Sequence, residues 1–511
     1  MNAAAGRVAA PAAETLVALA AGALFSLACV YTQAWGLQLA LLGLLAWRAA
    51  TLSPARAALL GLAFGTGWLG AGTWWLFISM HRYGGLAAPL AALAVGALAL
   101  ALSGYLALAM ALFARLRRGT PWLDAPLFAA LWLAAELARG VLFTGFPWVA
   151  TGYGQVDGPL AALAPWIGVY GLGFVAAAAA ALPALALRGG LRRAALPAIA
   201  AVALLAAAPW AWRDFSATAG PLAVTLVQTN VAQDEKFAPE RLPEALAWLE
   251  DALRAARGPL VVAPETAIPL LPEQLGADVW QRFTEGFRSD RAALIGLPLG
   301  NFETGYTNSV VGLSEQTAAL RGGFYRYDKQ HLVPFGELIP PGFRWFVELM
   351  NIPLGDFARG PRVAPSFAFA GQRIAPNICY EDLFGEELAL RFADAALAPT
   401  MLANVSNIGW FGDTIAVTQH LNISRMRTLE LQRPMLRATN TGATAVIDHR
   451  GGVSKQLAPF TRGTLDAVVE GRTGLTPFAR WASAYGLAPL ALWSLTLILL
   501  VLLMGRWRRA P

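Results

Sequence analysis

The sequence predicts a membrane-embedded bundle of α-helices joined to a large layered α/β domain. The 511-residue chain is 57% hydrophobic and only 14% charged, with a mean hydropathy of +0.50, whereas soluble domains carry about 25% charged residues. Apolar runs long enough to span a bilayer fill the first 212 residues and recur near the C-terminus. Between them, residues 213–484 alternate short apolar segments with amphipathic ones, as strands and helices alternate in layered α/β domains.

The apolar runs predict eight transmembrane helices, seven of them before residue 213. A helix needs about 20 predominantly apolar residues to cross the hydrocarbon core of a bilayer. The second run is short, and the fifth contains Glu136 and Arg139, which could pair at i, i+3 near the end of the span. The predicted spans are 12–31, 34–50, 56–79, 86–114, 121–141, 160–187, 192–212 and 487–505.

The distribution of arginine predicts the orientation of these spans. Only three of the 39 basic residues are lysine, and the arginines cluster at the ends of alternate spans. This placement explains the net charge of +7 without nucleic-acid binding. Under the positive-inside rule, it puts both termini in the cytoplasm and residues 213–484 outside it. The arginines on the predicted cytoplasmic side are Arg7, Arg48, Arg56, Arg115, Arg117, Arg118, Arg188, Arg192, Arg193, Arg506, Arg508 and Arg509.

Residues 213–484 are long enough to bury one large core. Ligand sites in layered α/β domains gather beyond the carboxyl ends of the strands, so the residues that follow the strands are the first candidates for chemistry. The predicted strands are 222–231, 260–263, 292–297, 309–313, 373–379, one contained in 395–406, and 443–448, and the predicted helices are 239–257, 271–289 and 418–438.

Three reactive side chains occupy comparable positions in this pattern. Glu265 comes just after strand 260–263, and Cys379 closes strand 373–379 before a predicted helix. Lys329 ends a mostly polar segment between them. The topology therefore predicts that a carboxylate, an amine and a thiol are delivered to one region of the domain.

Cys379 is one of only two cysteines in the chain, and its neighbours disfavour a thiolate. The carboxylates of Glu381 and Asp382 would raise the pKa of the thiol. A helix that begins at the thiol would lower that pKa, and so would the ammonium of Lys329. The predicted activation therefore combines Lys329 and the helix, which offset the carboxylates, with Glu265, which receives the proton. In a chain that uses arginine for nearly every cation, lysine also indicates a need for a compact point donor.

These residues and their surroundings resemble the apolipoprotein N-acyltransferase family, the membrane-embedded branch of the nitrilase superfamily. The resemblance covers the whole chain, and the lysine-containing run is its most specific part. The matching segments are TGFPW at 144–148, APETA at 263–267, YDKQHLVPFGE at 327–337 and ICYE at 378–381.

The resemblance implies a domain organisation and a location. It implies a transmembrane domain of seven spans at 1–212, a nitrilase-like αββα sandwich at 213–484, and an eighth transmembrane helix with a basic cytoplasmic tail at 485–511. The enzyme would lie in the inner membrane of a diderm bacterium, with its active site on the periplasmic side.

The resemblance also implies a reaction and a catalytic triad. An acyl chain leaves a phospholipid, with phosphatidylethanolamine the expected donor, and joins Cys379 as a thioester. It then passes to the α-amine of the diacylglyceryl-cysteine that begins an apolipoprotein. Glu265 would act as general base, Cys379 as nucleophile, and Lys329 as the group that stabilises the thiolate and the oxyanion.

Five further residues are expected to support this chemistry. Glu337 would orient Lys329 or the amine, and Tyr380 and Glu381 would support the turn around the thiol. Trp148 would either anchor the chain at the membrane interface or line a lipid-binding mouth. Phe237 stands where the family often has tryptophan, so it keeps an aromatic ring over the acyl entry but lacks an indole N–H.

Two other functions fit the sequence less closely. A membrane-anchored amidohydrolase of the same superfamily would use an identical triad with water in place of the amine, although one anchor would suffice for it. A transporter would need ionisable groups within its spans, and Glu136 and Arg139 are the main ones. No metal or nucleotide cofactor is expected, because the four histidines are widely separated and no nucleotide motif is present.

Overall fold

The computed structural model describes residues 2–287, 290–301, 303, 305–320, 322–348 and 357–507. The chain forms two compact units. The first combines the chain up to Leu76 with residues 88–213 and the chain from Tyr485 onward, and the second combines residues 77–87 with 214–484. Arg508 and Arg509, used in the orientation prediction, lie outside the described residues, as do residues 288–289 of the predicted helix 271–289.

Each of the eight predicted spans overlaps a helix of the first unit. The fifteen α-helices in the described part of the chain are α1 (Asn2–Ser26), α2 (Trp35–Ala49), α3 (Pro54–Thr73), α4 (Leu76–Ile78), α5 (Ala88–Leu116), α6 (Pro121–Val141), α7 (Ala164–Leu187), α8 (Leu191–Ala207), α9 (Leu242–Ala255), α10 (Ala277–Glu285), α11 (Arg344–Glu348), α12 (Gly385–Ala389), α13 (Ile415–Leu431), α14 (Pro477–Tyr485) and α15 (Ala488–Trp507).

By length and composition, five helical segments of the described chain can cross a membrane, or six if the bent pair α14 and α15 is counted as one span. Helix α2 has 15 residues and rises only about 22 Å, which is shorter than a hydrocarbon core of about 30 Å. Helix α3 carries five glycines, which lower its hydropathy. The five segments are Ala12–Cys29, Ala88–Leu116, Pro121–Thr144, Pro159–Leu187 and Leu191–Ala211.

Glycine lets helices α1 and α3 pack backbone against backbone. A Cβ atom on Gly22 would lie 1.9 Å from the carbonyl oxygen of Phe64, and one on Gly67 would lie 2.0 Å from that of Leu19. Because lipid supplies no hydrophobic force between helices, such close van der Waals packing is what associates them. The glycines that weaken the hydropathy of α3 therefore strengthen its helix contacts.

The two ionisable residues of the fifth predicted span pair with each other, as the i, i+3 spacing predicted. The Nη2 atom of Arg139 lies 3.6 Å from Oε1 of Glu136, and both side chains are buried. Arg139 also donates to the carbonyl oxygens of Phe146 and Trp148 at 2.7 Å, and Glu136 accepts the backbone N–H of Thr151 at 2.8 Å. The pair thus holds the irregular segment that follows α6.

Two six-stranded sheets form the centre of the second unit. Their strand orders are β12-β1-β2-β3-β4-β5 and β11-β10-β9-β8-β7-β6. The inner pairs β1–β2, β2–β3, β7–β8 and β8–β9 are parallel. The strands are β1 (Ser216–Gln228), β2 (Leu260–Val262), β3 (Ala292–Asn301), β4 (Gly305–Leu313), β5 (Tyr325–Asp328), β6 (Phe367–Phe369), β7 (Gln372–Ile378), β8 (Met401–Ser406), β9 (Met435–Thr439), β10 (Ala445–Ile447), β11 (Val453–Gln456) and β12 (Gly463–Gly474).

Apolar side chains on both faces of each sheet create a four-layer sandwich. Leu226 and Val262 of one sheet pack against Ile378 and Val405 of the other. The outer face of the first sheet is covered by α9 and α10, and the outer face of the second by α12, α13 and α14. This helix–sheet–sheet–helix order agrees with the αββα sandwich that the sequence predicts.

The predicted helix 418–438 is wrong in its last third. Helix α13 ends at Leu431, Gln432 turns into the left-handed region with φ 48°, and β9 follows. Pro434 explains this stop, since proline cannot continue a helix and its missing N–H breaks the hydrogen-bond pattern. The apolar run of β9 lies fully buried in the sheet, where a strand and a buried helix segment look alike in sequence.

Two other predicted helices are shorter than expected. Segment 271–289 contains a single 3-10 turn, Pro272–Gln274, followed by α10. The helix predicted to begin at the thiol is a five-residue 3-10 turn, Cys379–Leu383. A turn of that length aligns few peptide dipoles, so it gives a thiolate little of the stabilisation expected from a helix N-terminus.

Candidate active site

The ends of β2, β5 and β7 bring Glu265, Lys329 and Cys379 into one site of the second unit. Lys329 is almost fully buried, with 1% of its surface exposed, and Glu265 is 7% exposed. Cys379 is partly exposed. The three side chains predicted from the sequence therefore lie in one largely buried site. Of the three, Cys379 is the most exposed to solvent.

Two carboxylates surround the ammonium of Lys329. Its Nζ atom lies 2.9 Å from a carboxylate oxygen of Glu337 and 3.4 Å from Oε1 of Glu265. These carboxylates outweigh the effect of burial and raise the pKa of Lys329 above its ordinary value. Glu337 thus contacts Lys329 directly, and Lys329 remains charged throughout the physiological range.

Asn308 joins the two carboxylates. Its Nδ2 atom donates to Oε1 of Glu265 and to Oε1 of Glu337, both at 2.7 Å. The backbone carbonyl oxygen of Asn308 accepts the backbone N–H of Lys329 at 2.8 Å. The backbone N–H of Asn407 donates to the other oxygen of Glu265 at 2.7 Å. Both oxygens of Glu265 are therefore held, and the carboxylate has a defined direction.

Cys379 adopts an uncommon backbone conformation with φ 52°. This left-handed conformation is strained for an L-residue that has a Cβ atom. The carbonyl oxygen of Cys379 lies 3.1 Å from Nε2 of His420, and Nδ1 of His420 lies 2.8 Å from Nη2 of Arg437. Because a guanidinium can only donate, Nδ1 must accept and Nε2 must carry the proton. Burial and Arg437 lower the pKa of His420 well below its ordinary value, so a neutral imidazole holds the carbonyl of the strained residue.

The surroundings of Cys379 keep the thiol protonated. Burial and the charge of Glu265 raise its pKa to about 12, although Lys329 and the hydroxyl of Ser406 act in the opposite direction. Lys329 thus lowers the pKa of the thiol, as expected, but burial and the carboxylate of Glu265 outweigh it. A thiol with this pKa reacts as a nucleophile only if a base removes its proton during the attack.

Glu381 ties the lysine segment to the thiol turn. Its Oε2 atom accepts the hydroxyl of Tyr327 at 2.6 Å and the backbone N–H of Ile378 at 2.7 Å, while Oε1 accepts the backbone N–H of Gln330 at 2.7 Å. The buried carboxylate thus bridges the residues beside Lys329 and Cys379. Tyr380, also buried, packs its ring against His331 and Phe384.

The remaining two expected supporting residues lie elsewhere. Trp148 belongs to the first unit, where it is 3% exposed and its ring centroid lies 4.7 Å from that of Trp75. Phe237 is half-buried in the turn that follows β1.

A second lysine, Lys236, lies in the site and was not predicted from the sequence. Its buried Nζ atom donates to the backbone carbonyl of Glu265 at 3.1 Å, and burial lowers its pKa to about 8. The rarity of lysine, which pointed to Lys329, applies equally to Lys236 and could have found it. Asn308 and His420 had no comparable signal, since a polar residue inside a strand or helix is ordinary on an exposed face.

Replacing His420 with leucine is expected to slow the reaction of Cys379 about a hundredfold, since a misplacement of about 1 Å costs that much. The variant removes the donor that holds the Cys379 carbonyl and the acceptor that Nδ1 offers to Nη2 of Arg437. The steady-state rate of acyl transfer measures the effect. His420→Gln should recover part of the loss through its amide N–H. His449→Leu, a matched change after β10, should have no effect, and a His420→Leu variant with the normal rate would contradict the role of the imidazole.

The fold and the site together define a class of protein. A four-layer α/β sandwich with a carboxylate, an ammonium and a thiol at its strand ends is a domain of the carbon–nitrogen hydrolase type. Residues 223–477 match the family model described as "Carbon-nitrogen hydrolase", and residues 21–182 match that described as "Apolipoprotein N-acyltransferase N-terminal domain".

Curated relatives match both units together. The "Apolipoprotein N-acyltransferase" of Verminephrobacter eiseniae is 53% identical over 485 residues, which cover 89% of each chain. That of Ralstonia nicotianae is 46% identical over 490 residues, which cover 94% of this chain and 91% of the relative. The chain therefore belongs to the apolipoprotein N-acyltransferase family, and it is an enzyme of the acyltransferase class.

Proposed function

We propose that this enzyme transfers an acyl chain from a phospholipid to the α-amine of the N-terminal diacylglyceryl-cysteine of apolipoproteins, the last step of lipoprotein maturation. Phosphatidylethanolamine is the proposed donor, and a thioester at Cys379 is the proposed intermediate. The observation that carries the proposal is the closed cluster of Glu265, Lys329 and Glu337 beside a strained, protonated Cys379, in a chain whose relatives are named for this activity.

The first half-reaction forms the thioester. Glu265 takes the thiol proton as the sulfur of Cys379 attacks the ester carbonyl of the phospholipid. The charge that develops on the carbonyl oxygen is stabilised by Lys329, whose ammonium stays protonated between its two carboxylates. The bond to the glycerol oxygen then breaks, Glu265 gives the proton to that oxygen, and the lysophospholipid leaves.

The second half-reaction forms the amide. The neutral α-amine of the acceptor attacks the thioester carbonyl, and Glu265 takes a proton from the amine nitrogen. Lys329 again stabilises the oxyanion. The carbon–sulfur bond breaks, the sulfur regains a proton from Glu265, and the N-acylated lipoprotein leaves. The thiol is protonated before the first half-reaction and again after the second. Its raised pKa therefore agrees with a mechanism in which Glu265 removes the proton from the sulfur and later returns one to it.

The membrane organisation belongs to the same proposal. We propose eight transmembrane helices, with a transmembrane domain at 1–212, a periplasmic catalytic domain at 213–484 and an eighth span with a cytoplasmic tail at 485–511. Both termini would lie in the cytoplasm and the protein in the bacterial inner membrane. The overlap of a helix with every predicted span and the arginine asymmetry support this arrangement.

Intact-protein mass spectrometry tests the thioester directly. Purified enzyme incubated with phosphatidylethanolamine should gain the mass of one acyl chain, and hydroxylamine should remove it. Cys379→Ala should gain no mass, while Cys29→Ala should behave like the unsubstituted enzyme, since Cys29 is the other cysteine of the chain and lies buried in the first unit. An acyl adduct on Cys379→Ala would contradict the mechanism.

The product of the second half-reaction separates a transferase from an amidohydrolase with the same triad. Acyl-enzyme mixed with a diacylglyceryl peptide should yield the N-acylated peptide and free thiol. Release of fatty acid at the same rate with and without the peptide would support the hydrolase instead.

A further inference from the structure

A buried glutamine in the turn after β1 is not used by the mechanism above. Gln233 is 5% exposed, and its Oε1 atom accepts a hydrogen bond from Nδ2 of Asn407 at 2.9 Å. Its Nε2 atom has no hydrogen-bond partner among the described residues. A buried amide donor without a partner is costly, so its presence beside a reactive site points to a ligand that supplies the missing acceptor.

The direction of this amide is fixed by a chain of hydrogen bonds. Oδ1 of Asn440 accepts the backbone N–H of Val231 at 2.9 Å, so Nδ2 of Asn440 must be the donating end. It donates to Oδ1 of Asn407 at 2.9 Å, which leaves Nδ2 of Asn407 to donate to Gln233. The end of Gln233 that remains available is therefore Nε2, which can only donate.

The chain of amides also locates Gln233 with respect to the general base. Asn407, which holds the side chain of Gln233, donates its backbone N–H to Oε2 of Glu265. The opposite oxygen, Oε1, faces Asn308 and Lys329. Gln233 is thus connected to the Oε2 atom of Glu265 through Asn407. The ammonium of Lys329, which stabilises the oxyanion, contacts the opposite oxygen, Oε1.

The charges of the site indicate what Nε2 binds. The carboxylates of Glu265 and Glu337 are balanced by the ammonium groups of Lys329 and Lys236, which lie in contact with them or with their backbone. A site whose charges already cancel gains little from an additional anion such as a phosphate. A neutral oxygen atom is the acceptor that satisfies the unused N–H groups of Gln233.

We infer that Gln233 is a substrate-binding residue whose Nε2 donates to a neutral substrate oxygen next to the atom that exchanges a proton with Glu265. The inference rests on the proposed function, in which that atom is the glycerol oxygen in the first half-reaction and the acceptor nitrogen in the second. Two substrate oxygens have the required chemistry, namely an oxygen of the glycerol ester of the phospholipid and the carbonyl oxygen of the acceptor's N-terminal cysteine.

Two substitutions distinguish binding from a structural role. Gln233→Met removes both ends of the amide, and Gln233→Glu removes the donor but keeps an acceptor for Asn407. If the donor binds substrate, both variants should slow one half-reaction about tenfold, the effect of one hydrogen bond to a neutral acceptor. Gln316→Glu makes the same change at an exposed position and should leave both half-reactions unchanged.

Each half-reaction is measured separately in the full-length enzyme. Acyl-enzyme formation from phosphatidylethanolamine is followed by intact mass, and transfer is followed by mixing pre-formed acyl-enzyme with a diacylglyceryl peptide. Slowed formation alone assigns the oxygen to the phospholipid ester. Slowed transfer alone assigns it to the cysteine carbonyl, and in that case a diacylglyceryl cysteamine, which lacks this carbonyl, should react equally fast with the unsubstituted and Gln233→Met enzymes.

The outcomes separate this inference from the function on which it rests. Absence of an acyl adduct in the unsubstituted enzyme would overturn the proposed function. Normal rates in both half-reactions for Gln233→Met and Gln233→Glu would overturn the role of Gln233 alone. A loss in Gln233→Met with normal rates in Gln233→Glu would also overturn it, because the side chain would then serve only to hold Asn407.

Discussion

Replacing Lys329 with methionine is expected to lower the rate of acyl-enzyme formation at least about a thousandfold, the upper range for removal of one group that stabilises an oxyanion. Methionine keeps the length of the side chain but removes the only ammonium that lies between Glu265 and Glu337 in the described chain. The two carboxylates would then share the donor of Asn308 while repelling each other. The general base would lose its position at the same time as the oxyanion loses its charge partner.

Two further lysine variants make this experiment specific. Lys329→Arg should not restore activity, because the site is closed around the ammonium and a guanidinium fork is wider and flatter. Lys455→Met is the matched control, since Lys455 is an exposed residue of β11 and the third lysine of the chain. More than a tenth of normal activity in Lys329→Met would exclude the proposed role. The rate of acyl-mass gain is the readout in every case.

Replacing Glu381 with alanine is expected to reduce the free energy of unfolding by about 3–5 kcal/mol, the usual cost of leaving buried partners of a charged group unpaired. The donors left without this acceptor are the hydroxyl of Tyr327 and the backbone N–H groups of Gln330, His331 and Ile378. Burial and the Glu381 carboxylate raise the pKa of Tyr327 well above its ordinary value, so its hydroxyl is always a donor and cannot adapt by ionising.

The same substitution should impair catalysis beyond its effect on stability. Glu381 connects the segment next to Lys329 with the turn next to Cys379, so its loss lets the ammonium and the thiol move apart. Denaturant unfolding of the enzyme in detergent gives the change in stability, and acyl-enzyme formation below the unfolding transition gives the change in activity. Glu315→Ala, at an exposed position, should change neither. Unaltered stability in Glu381→Ala would show that the four donors find other acceptors.

Local sequence patterns were sufficient for much of this enzyme. Helices occur at all eight apolar runs, and strands occur where short apolar segments end at Glu265 and Cys379, because hydropathy and periodicity are properties of neighbouring residues. The local pattern failed at β9, whose apolar residues Met435, Leu436 and Ala438 come only a few positions after the end of α13. It also failed at β12, which was not predicted although exposed residues alternate there with buried and half-buried ones.

The sequence by itself determined the membrane helices, the α/β class of the second unit and the three reactive side chains. Each of these could be recognised from the residues next to it in sequence and from the family motifs. Only the tertiary structure decided which groups meet those side chains. Asn308 lies on β4, Asn407 follows β8 and His420 lies on α13, and each becomes a partner because sheet pairing and packing bring distant segments together. The protonated thiol was decided in the same way, since its pKa follows from burial and from a carboxylate more than one hundred residues away in sequence, which no pattern of neighbours reveals.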